Sequence, residues 1–146
     1  MNDILDLYQE LIVDHSRSPK NFGELLVKSH YARGHNQLCG DIIDLDILVK
    51  DETVDAVAFH GDGCAISKAS ASLMTESIKG KTLAEVRHLF EAFHQMLTSD
   101  DAQASLGKLD VLKGVRQFPI RVKCATLCWH TLNAALTRKT ERVTTE

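Results

Sequence analysis

The sequence lacks long hydrophobic runs and has no excess of positive charge. Its apolar runs are short, as in Ile47-Leu48-Val49, whereas a membrane-spanning helix needs about 20 consecutive apolar residues. Lysine and arginine number 17 against 20 acidic residues, a net charge of -3, and they are spread along the chain. A nucleic-acid-binding surface concentrates its basic residues instead. We therefore expect a protein that acts neither in a membrane nor on nucleic acid.

Proline and glycine are also scarce, at 2 and 8 of 146 residues. With 44% hydrophobic and 25% charged residues, the composition is that of a globular protein and excludes a disordered or fibrous chain. A chain of this length can bury a core without disulfides or an obligatory metal ion. We therefore predict one domain that spans residues 1–146.

The N-terminus has no basic stretch of the kind that opens a signal peptide, since Asp3 and Asp6 are acidic. This favours a cytoplasmic location, where the reducing environment keeps most cysteines from forming disulfides. The four cysteines are Cys39, Cys64, Cys124 and Cys128. In such a compartment they are better explained as free thiols or metal ligands than as two disulfides.

Apolar residues recur at helical spacing in four segments of the chain. The first segment covers residues 3–16 and the second covers residues 64–78. Thr82 and Glu85 have the spacing of a capping box, which predicts the start of a third helix. Pro119 stands where a fourth helix could begin, because proline is favoured in the first turn.

Alternation of apolar and polar residues over 41–60 predicts two strands joined by the polar turn Asp51-Glu52. A third strand is expected within residues 25–38. Residues 98–113 are polar and are expected to be irregular, with a short helical turn as an alternative. Strands and helices in this order are typical of the α+β class. The sequence therefore predicts an α+β fold in which a small antiparallel three-stranded sheet is flanked by helices.

Three cysteines and one aspartate stand at the ends of these predicted elements. Cys39 and Asp41 lie two residues apart before the first clear strand, so their side chains share one face if the chain is extended there. Cys64 follows Gly61-Asp62-Gly63, which should break the preceding strand. At the start of a helix, the free amides and the helix dipole favour a thiolate. Cys124 lies in the opening turns of the last helix, close to two basic residues.

Three thiolates and one carboxylate complete a four-coordinate zinc site, and a thiolate-rich set also suits an iron–sulfur cluster. The residue types alone do not separate the two. Ligands spread over about 85 residues must be assembled by the fold, which favours a reactive site over a structural zinc module. Cys128 lies four residues after Cys124 within an apolar stripe and is predicted to be a buried thiol outside the site.

Three separated segments carry these residues: Cys39-Gly40-Asp41, Gly61-Asp62-Gly63-Cys64-Ala65-Ile66-Ser67 and Arg121-Val122-Lys123-Cys124-Ala125-Thr126-Leu127. Together they resemble the SufU branch of the IscU/NifU N-terminal family, and the resemblance covers nearly the whole chain. It implies an α+β sandwich with a metal site at one end. By motif position, the implied metal ligands are Cys39, Asp41, Cys64 and Cys124. Arg121 is implied as a catalytic residue that handles sulfur beside them.

Three features separate this chain from the scaffold branch of that family. The scaffold branch usually carries a histidine directly before the third cysteine, where this chain has Lys123. It also carries a Leu-Pro-Pro-Val-Lys segment, where this chain has Gln117-Phe118-Pro119-Ile120-Arg121. The polar segment at 98–112 looks like the insertion typical of SufU. The resemblance therefore favours a zinc-dependent sulfurtransferase.

A protein of that kind takes persulfide sulfur from a SufS-type cysteine desulfurase. Cys39 is implied as the acceptor nucleophile, with zinc as the cofactor, because the thiolate is the reactive form of cysteine. The downstream partners would be other cluster-assembly proteins or apo-proteins. Two alternatives stay open: an IscU-like scaffold that assembles a [2Fe-2S] cluster from iron and sulfur, and a structural zinc-binding adaptor.

Overall fold

Four α-helices, a mostly antiparallel sheet and one 3₁₀ helix make up the described part of the chain. The computed structural model describes residues 3–37, 40–99, 105–137 and 143–144. The elements are α1 (Asp3–Arg17), β1 (His30–Asn36), β2 (Asp41–Lys50), β3 (Thr53–Asp62), α2 (Ala65–Ile78), α3 (Leu83–Thr98), the 3₁₀ helix Gly107–Gln117, α4 (Pro119–Leu136) and β4 (Val143–Thr144). This order confirms the predicted α+β class.

The sheet has the strand order β3-β2-β1-β4. β2 pairs antiparallel with β3 and with β1, which confirms the predicted three-stranded antiparallel sheet. The structure adds β4, which pairs with β1 in parallel and is too short, at two residues, to show a periodic pattern. β3 continues through Gly61 and ends at Asp62, within the segment Gly61-Asp62-Gly63 that was predicted to end it. An added Cβ at Gly61 would overlap the Ile42 carbonyl, and glycine therefore permits this close pairing.

All four helices begin where the sequence predicts, with α1 starting at Asp3. Cys64 is the N-cap of α2. The Thr82 hydroxyl accepts from the Glu85 N–H at 3.1 Å, and the Glu85 carboxylate accepts from the Thr82 N–H at 3.0 Å, which completes the capping box of α3. Pro119 occupies the first turn of α4, where its missing N–H costs no helical hydrogen bond. These start signals are local and need no tertiary information.

The 3₁₀ helix Gly107–Gln117 is longer than the short helical turn that the sequence allowed within residues 98–113. Residues 100–104 lie outside the described part of the chain, but Gly107–Gln117 buries four apolar side chains: Leu109, Val111, Leu112 and Val115. The Asp110 carboxylate accepts from the Leu106 N–H at 3.0 Å and so stabilises the first turn. Charged residues between the apolar ones concealed this amphipathic pattern.

The helices α2 and α4 pack on one face of the sheet. α4 lies against β1 and β2, α2 packs against α4 and β3, and α1 packs against α2. Leu45 and Ile47 of β2 are fully buried in this layer. Trp129 of α4 stacks on Phe93 of α3 with ring centroids 4.5 Å apart, so it serves packing. Among the described residues, no helix has both the length and the apolarity that crossing a bilayer requires.

The polar face of β2 is buried as well, which the alternation of residues did not predict. Asp46 accepts a hydrogen bond from Lys28 Nζ at 3.0 Å. Asp44 accepts from Arg33 Nε and from the Tyr31 hydroxyl, each at 2.7 Å. Burial alone would raise the pKa of Asp44, but these hydrogen bonds outweigh it and lower the pKa. Paired charges therefore fill a face that the sequence pattern assigned to solvent.

Substitution of Gly34 by alanine tests the packing of α4 on β1. An added Cβ at Gly34 would overlap the Thr131 hydroxyl and come within 3.1 Å of Leu127 Cδ1. We expect Gly34→Ala to lower the free energy of unfolding by about 1–3 kcal/mol, measured by urea denaturation. Gly114→Ala is the matched control, because an added Cβ there meets no atom within 4 Å. Equal stability of the two variants would contradict this packing.

Candidate metal centre

The antiparallel register of β2 and β3 places Asp41 beside the start of α2. The first residues of β2 lie next to the last residues of β3, with Ile42 opposite Asp62. The chain then passes through Gly63 to the helix. Asp41 is fully buried, and its Oδ1 accepts from the Cys64 N–H at 2.9 Å. This hydrogen bond joins the start of β2 to the start of α2.

Cys64 occupies the N-cap of α2, a position that usually holds serine, threonine, aspartate or asparagine. Its Sγ accepts from the Ser67 N–H at 3.4 Å, as a capping hydroxyl would. The sulfur therefore lies at the end of the helix where the first backbone amides point. The same Sγ lies 3.9 Å from Asp41 Oδ2. The thiol and the carboxylate can therefore contact one cation.

Cys124 reaches the same place from the second turn of α4, where it is fully buried. Its Sγ, the Cys64 Sγ and a carboxylate oxygen of Asp41 all lie within 4.8 Å of one another. Within the ranges that the structure describes, no other group of three or more such side chains lies close enough to hold a metal ion. A strand, a helix cap and a helix interior thus contribute one potential ligand each.

This donor set fits a zinc ion. Zinc binds thiolate sulfur at about 2.3 Å and carboxylate oxygen at about 2.0–2.2 Å, so tetrahedral ligand atoms stand roughly 3.5–3.8 Å apart. Because the three atoms lie within 4.8 Å of one another, they need to approach by no more than about 1 Å. Soft thiolates also suit an iron–sulfur cluster. In either case, two thiolates and one carboxylate leave a fourth position for another ligand.

Comparison with known proteins places the chain in a family. Residues 7–145 match the family of the NifU-like N terminal domain. The chain belongs to this family. The match confirms the resemblance inferred from the three cysteine segments. The fold agrees as well. A similar solved structure is the crystal structure of FiSufU from Fervidobacterium islandicum AW-1, described as an iron-sulfur cluster assembly scaffold protein for the SUF system. It matches with a TM-score of 0.81 and 35% identity, over 87% of this chain and 94% of that chain.

Relatives from both branches of the NifU-like family are similar to this chain. The zinc-dependent sulfurtransferase SufU of Bacillus subtilis is 38% identical over 135 residues, which cover 91% of this chain and 91% of that protein. The iron-sulfur cluster assembly scaffold protein IscU of Streptococcus pyogenes is 37% identical over 134 residues, which cover 90% of this chain and 84% of that protein. Overall identity therefore does not separate the two branches.

Of the four ligands predicted for this NifU-like domain, the structure brings together three: Asp41, Cys64 and Cys124. Cys39 lies outside the described residues, and the next residue, Gly40, is exposed with a φ of +70°. Arg121 is exposed in the first turn of α4, three residues before Cys124, so it lies on the same side of the helix about one turn away. The assignment of ligands and catalytic residues stays a prediction.

Cys128 is close to Cys124 in sequence but does not belong to the group. It is buried, and its Sγ lies 3.5 Å from the Ser70 hydroxyl and 3.8 Å from the Ala125 carbonyl oxygen. Burial raises the pKa of its thiol to about 12, which disfavours the thiolate that metal binding needs. This environment agrees with the prediction of a buried thiol outside the site.

Sequence reasoning missed Asn36, the last residue of β1. It is fully buried and lies opposite Asp41 in the register of β1 and β2. The sequence could place the third strand only within residues 25–38, without a register. For that reason nothing indicated that a polar side chain from this segment would meet the predicted ligands. The cross-strand pair becomes visible only once the sheet is assembled.

Substitution of Gly63 by alanine tests whether the position of Asp41 determines metal binding. An added Cβ would lie 2.8 Å from Asp41 Oδ1 and 3.3 Å from Ser67 Cβ, so the carboxylate would have to move. We expect the zinc affinity to fall about 10- to 100-fold, measured by competition with a chromophoric chelator. Gly114→Ala again serves as the control. Unchanged affinity in Gly63→Ala would show that this carboxylate position is not required.

Thiol labelling tests the environment of Cys128. With a pKa of about 12 for its thiol, only about one molecule in ten thousand carries the thiolate at pH 8. We expect iodoacetamide to modify the half-buried Cys64 of the metal-free native protein and to leave Cys128 unmodified, as read by peptide mass spectrometry. In urea, where the protein is unfolded, both should react. Equal labelling rates in the native protein would contradict this burial.

Proposed function

We propose that the protein is an iron–sulfur cluster assembly protein that accepts persulfide sulfur from a SufS-type cysteine desulfurase. Its site would hold zinc through Cys39, Asp41, Cys64 and Cys124. The observation that carries the proposal is the convergence of a carboxylate and two thiols from three separate elements. The similarity to a relative named as a zinc-dependent sulfurtransferase supports it.

A reactive role is favoured over a structural one by the core of the protein. Leu45, Leu73 and Leu127 are fully buried, as are many other apolar side chains of the sheet and helices. Such a core does not depend on a metal ion for closure, unlike a small zinc module that is unfolded without its metal. A metal ion at this position would therefore serve the chemistry of the site, and the fold would not depend on it.

The described ligands are held rigidly by their elements. Cys64 is fixed by its capping bond with Ser67 and by the contact of its backbone with Asp41. Cys124 is fully buried within α4. The Cys124 thiol therefore cannot reach a partner protein unless a helix moves. Gln37 and Gly40, the described residues nearest to position 39 in sequence, are exposed.

When bound, zinc would supply the positive charge that keeps cysteine ligands as thiolates at neutral pH. The Cys39 thiolate would attack the outer sulfur of the desulfurase persulfide. A new sulfur–sulfur bond forms on Cys39, the original sulfur–sulfur bond breaks, and the desulfurase cysteine leaves as a thiolate. The exchange conserves electrons and requires no oxidant. Arg121, one turn before Cys124, would attract the anionic sulfur group.

Replacement of Cys39 by serine tests the acceptor assignment. The protein would be incubated with a cysteine desulfurase and ³⁵S-cysteine, and the bound label would be counted after gel filtration without reductant. We expect Cys39→Ser to fall to the level of a reaction without acceptor, because a hydroxyl cannot form a persulfide. Cys128→Ala, which removes a buried thiol outside the site, should keep the label. Normal labelling of Cys39→Ser would refute the assignment.

The scaffold function is the second candidate, because a relative named as an IscU scaffold protein is 37% identical to this chain. In that case the cluster is the cargo and the same ligands hold it. Anaerobic incubation with iron and sulfide would then give a stable visible absorption in the wild type that Cys64→Ser loses. The structural adaptor predicts instead that chelation unfolds the protein and that desulfurase activity does not respond to its addition.

A further inference from the structure

Asn36 closes the β1–β2 hairpin directly opposite Asp41. The two residues are Cα partners in the antiparallel register, and both are fully buried. The Cβ atoms of such a pair lie about 4.5–5.5 Å apart on the same face of the sheet. The Asn36 carboxamide is therefore the cross-strand neighbour of the carboxylate in the metal group.

Asn36 lies on the face of the sheet that packs against α4. Burial alternates along β1, and Gly34 and Asn36 are both on the buried side. An added Cβ at Gly34 would come within 3.1 Å of Leu127 in α4. Along β1, Asn36 lies two residues beyond Gly34, nearer to the metal group. Along α4, Cys124 lies almost one turn from Leu127, also nearer to the metal group. Asn36 therefore lies beside the carboxylate ligand, on the sheet face that packs against the helix with a thiol ligand.

Packing alone does not explain a carboxamide at this position. A buried polar group costs about 1–3 kcal/mol unless its atoms are hydrogen-bonded, whereas an aliphatic side chain fills the same space without that cost. Polar residues beside metal ligands commonly orient those ligands through hydrogen bonds. We propose that Asn36 is a positioning residue, which orients the Asp41 carboxylate when the ligands close on a metal ion and thereby sets the metal affinity. This inference rests on the proposed metal site.

Asn36→Leu separates positioning from packing, because leucine has a similar shape but no polar atoms. We expect the zinc dissociation constant to rise about 10- to 100-fold, measured by chelator competition. The visible spectrum of the cobalt(II)-loaded variant should also change, because it reports ligand geometry. The unfolding temperature of the metal-free protein should not fall. A residue that serves packing alone would leave the dissociation constant and the cobalt spectrum unchanged.

Thr131→Val is the matched control, since it also removes a fully buried polar group from the interface of α4 and the sheet. We expect this variant to bind zinc as the wild type does. If Asn36→Leu does not fold, Asn36→Ser and Asn36→Ala replace it, and serine should recover part of the affinity that alanine loses. Wild-type affinity in Asn36→Leu, or equal affinities of the serine and alanine variants, would overturn the inference. Absence of zinc binding by the wild type would instead refute the proposed function.

Discussion

The candidate metal centre depends on one hydrogen bond, from the Cys64 N–H to Asp41 Oδ1 at 2.9 Å. The Asp41 carboxylate is fully buried and needs a donor, while the first amides of α2 have no partner within the helix. One bond meets both requirements and leaves Oδ2 3.9 Å from Cys64 Sγ. The close approach is possible because Gly63 has no Cβ, which would lie 2.8 Å from Oδ1. The ligand geometry is thus a consequence of how β2 meets α2.

Much of the fold could be predicted because its signals are local. The Thr82–Glu85 capping box and Pro119 start their helices through contacts within a few residues, and both lie where expected. Tertiary contacts decide the features that were missed. Asp46 is buried because Lys28 and the segment before β1 cover it. The 3₁₀ helix exists because Leu109 and its apolar neighbours reach the core, although lysines surround them in sequence.

The candidate site likewise combines features that local sequence predicts with features that depend on tertiary contacts. Residue type and position at element ends were enough to select Asp41, Cys64 and Cys124, because each stands near the start of a strand or helix. Their approach to within 4.8 Å depends on the β2–β3 register and on the docking of α4, which no local pattern encodes. Asn36 was missed for the same reason, since its partner is defined only by the register of β1 and β2.

Cys124 and Cys128 lie on one helix, but the fold places their thiols in different surroundings. They are four residues apart, so they lie on nearly the same side of α4. One turn is nevertheless enough to change the surroundings, because Cys124 meets Asp41 and Cys64 while Cys128 meets the Ser70 hydroxyl. Burial raises the pKa of the Cys128 thiol, so it stays protonated where a metal ligand must be a thiolate. The end of the sheet, and not the helix itself, therefore determines which cysteine can take part in the chemistry.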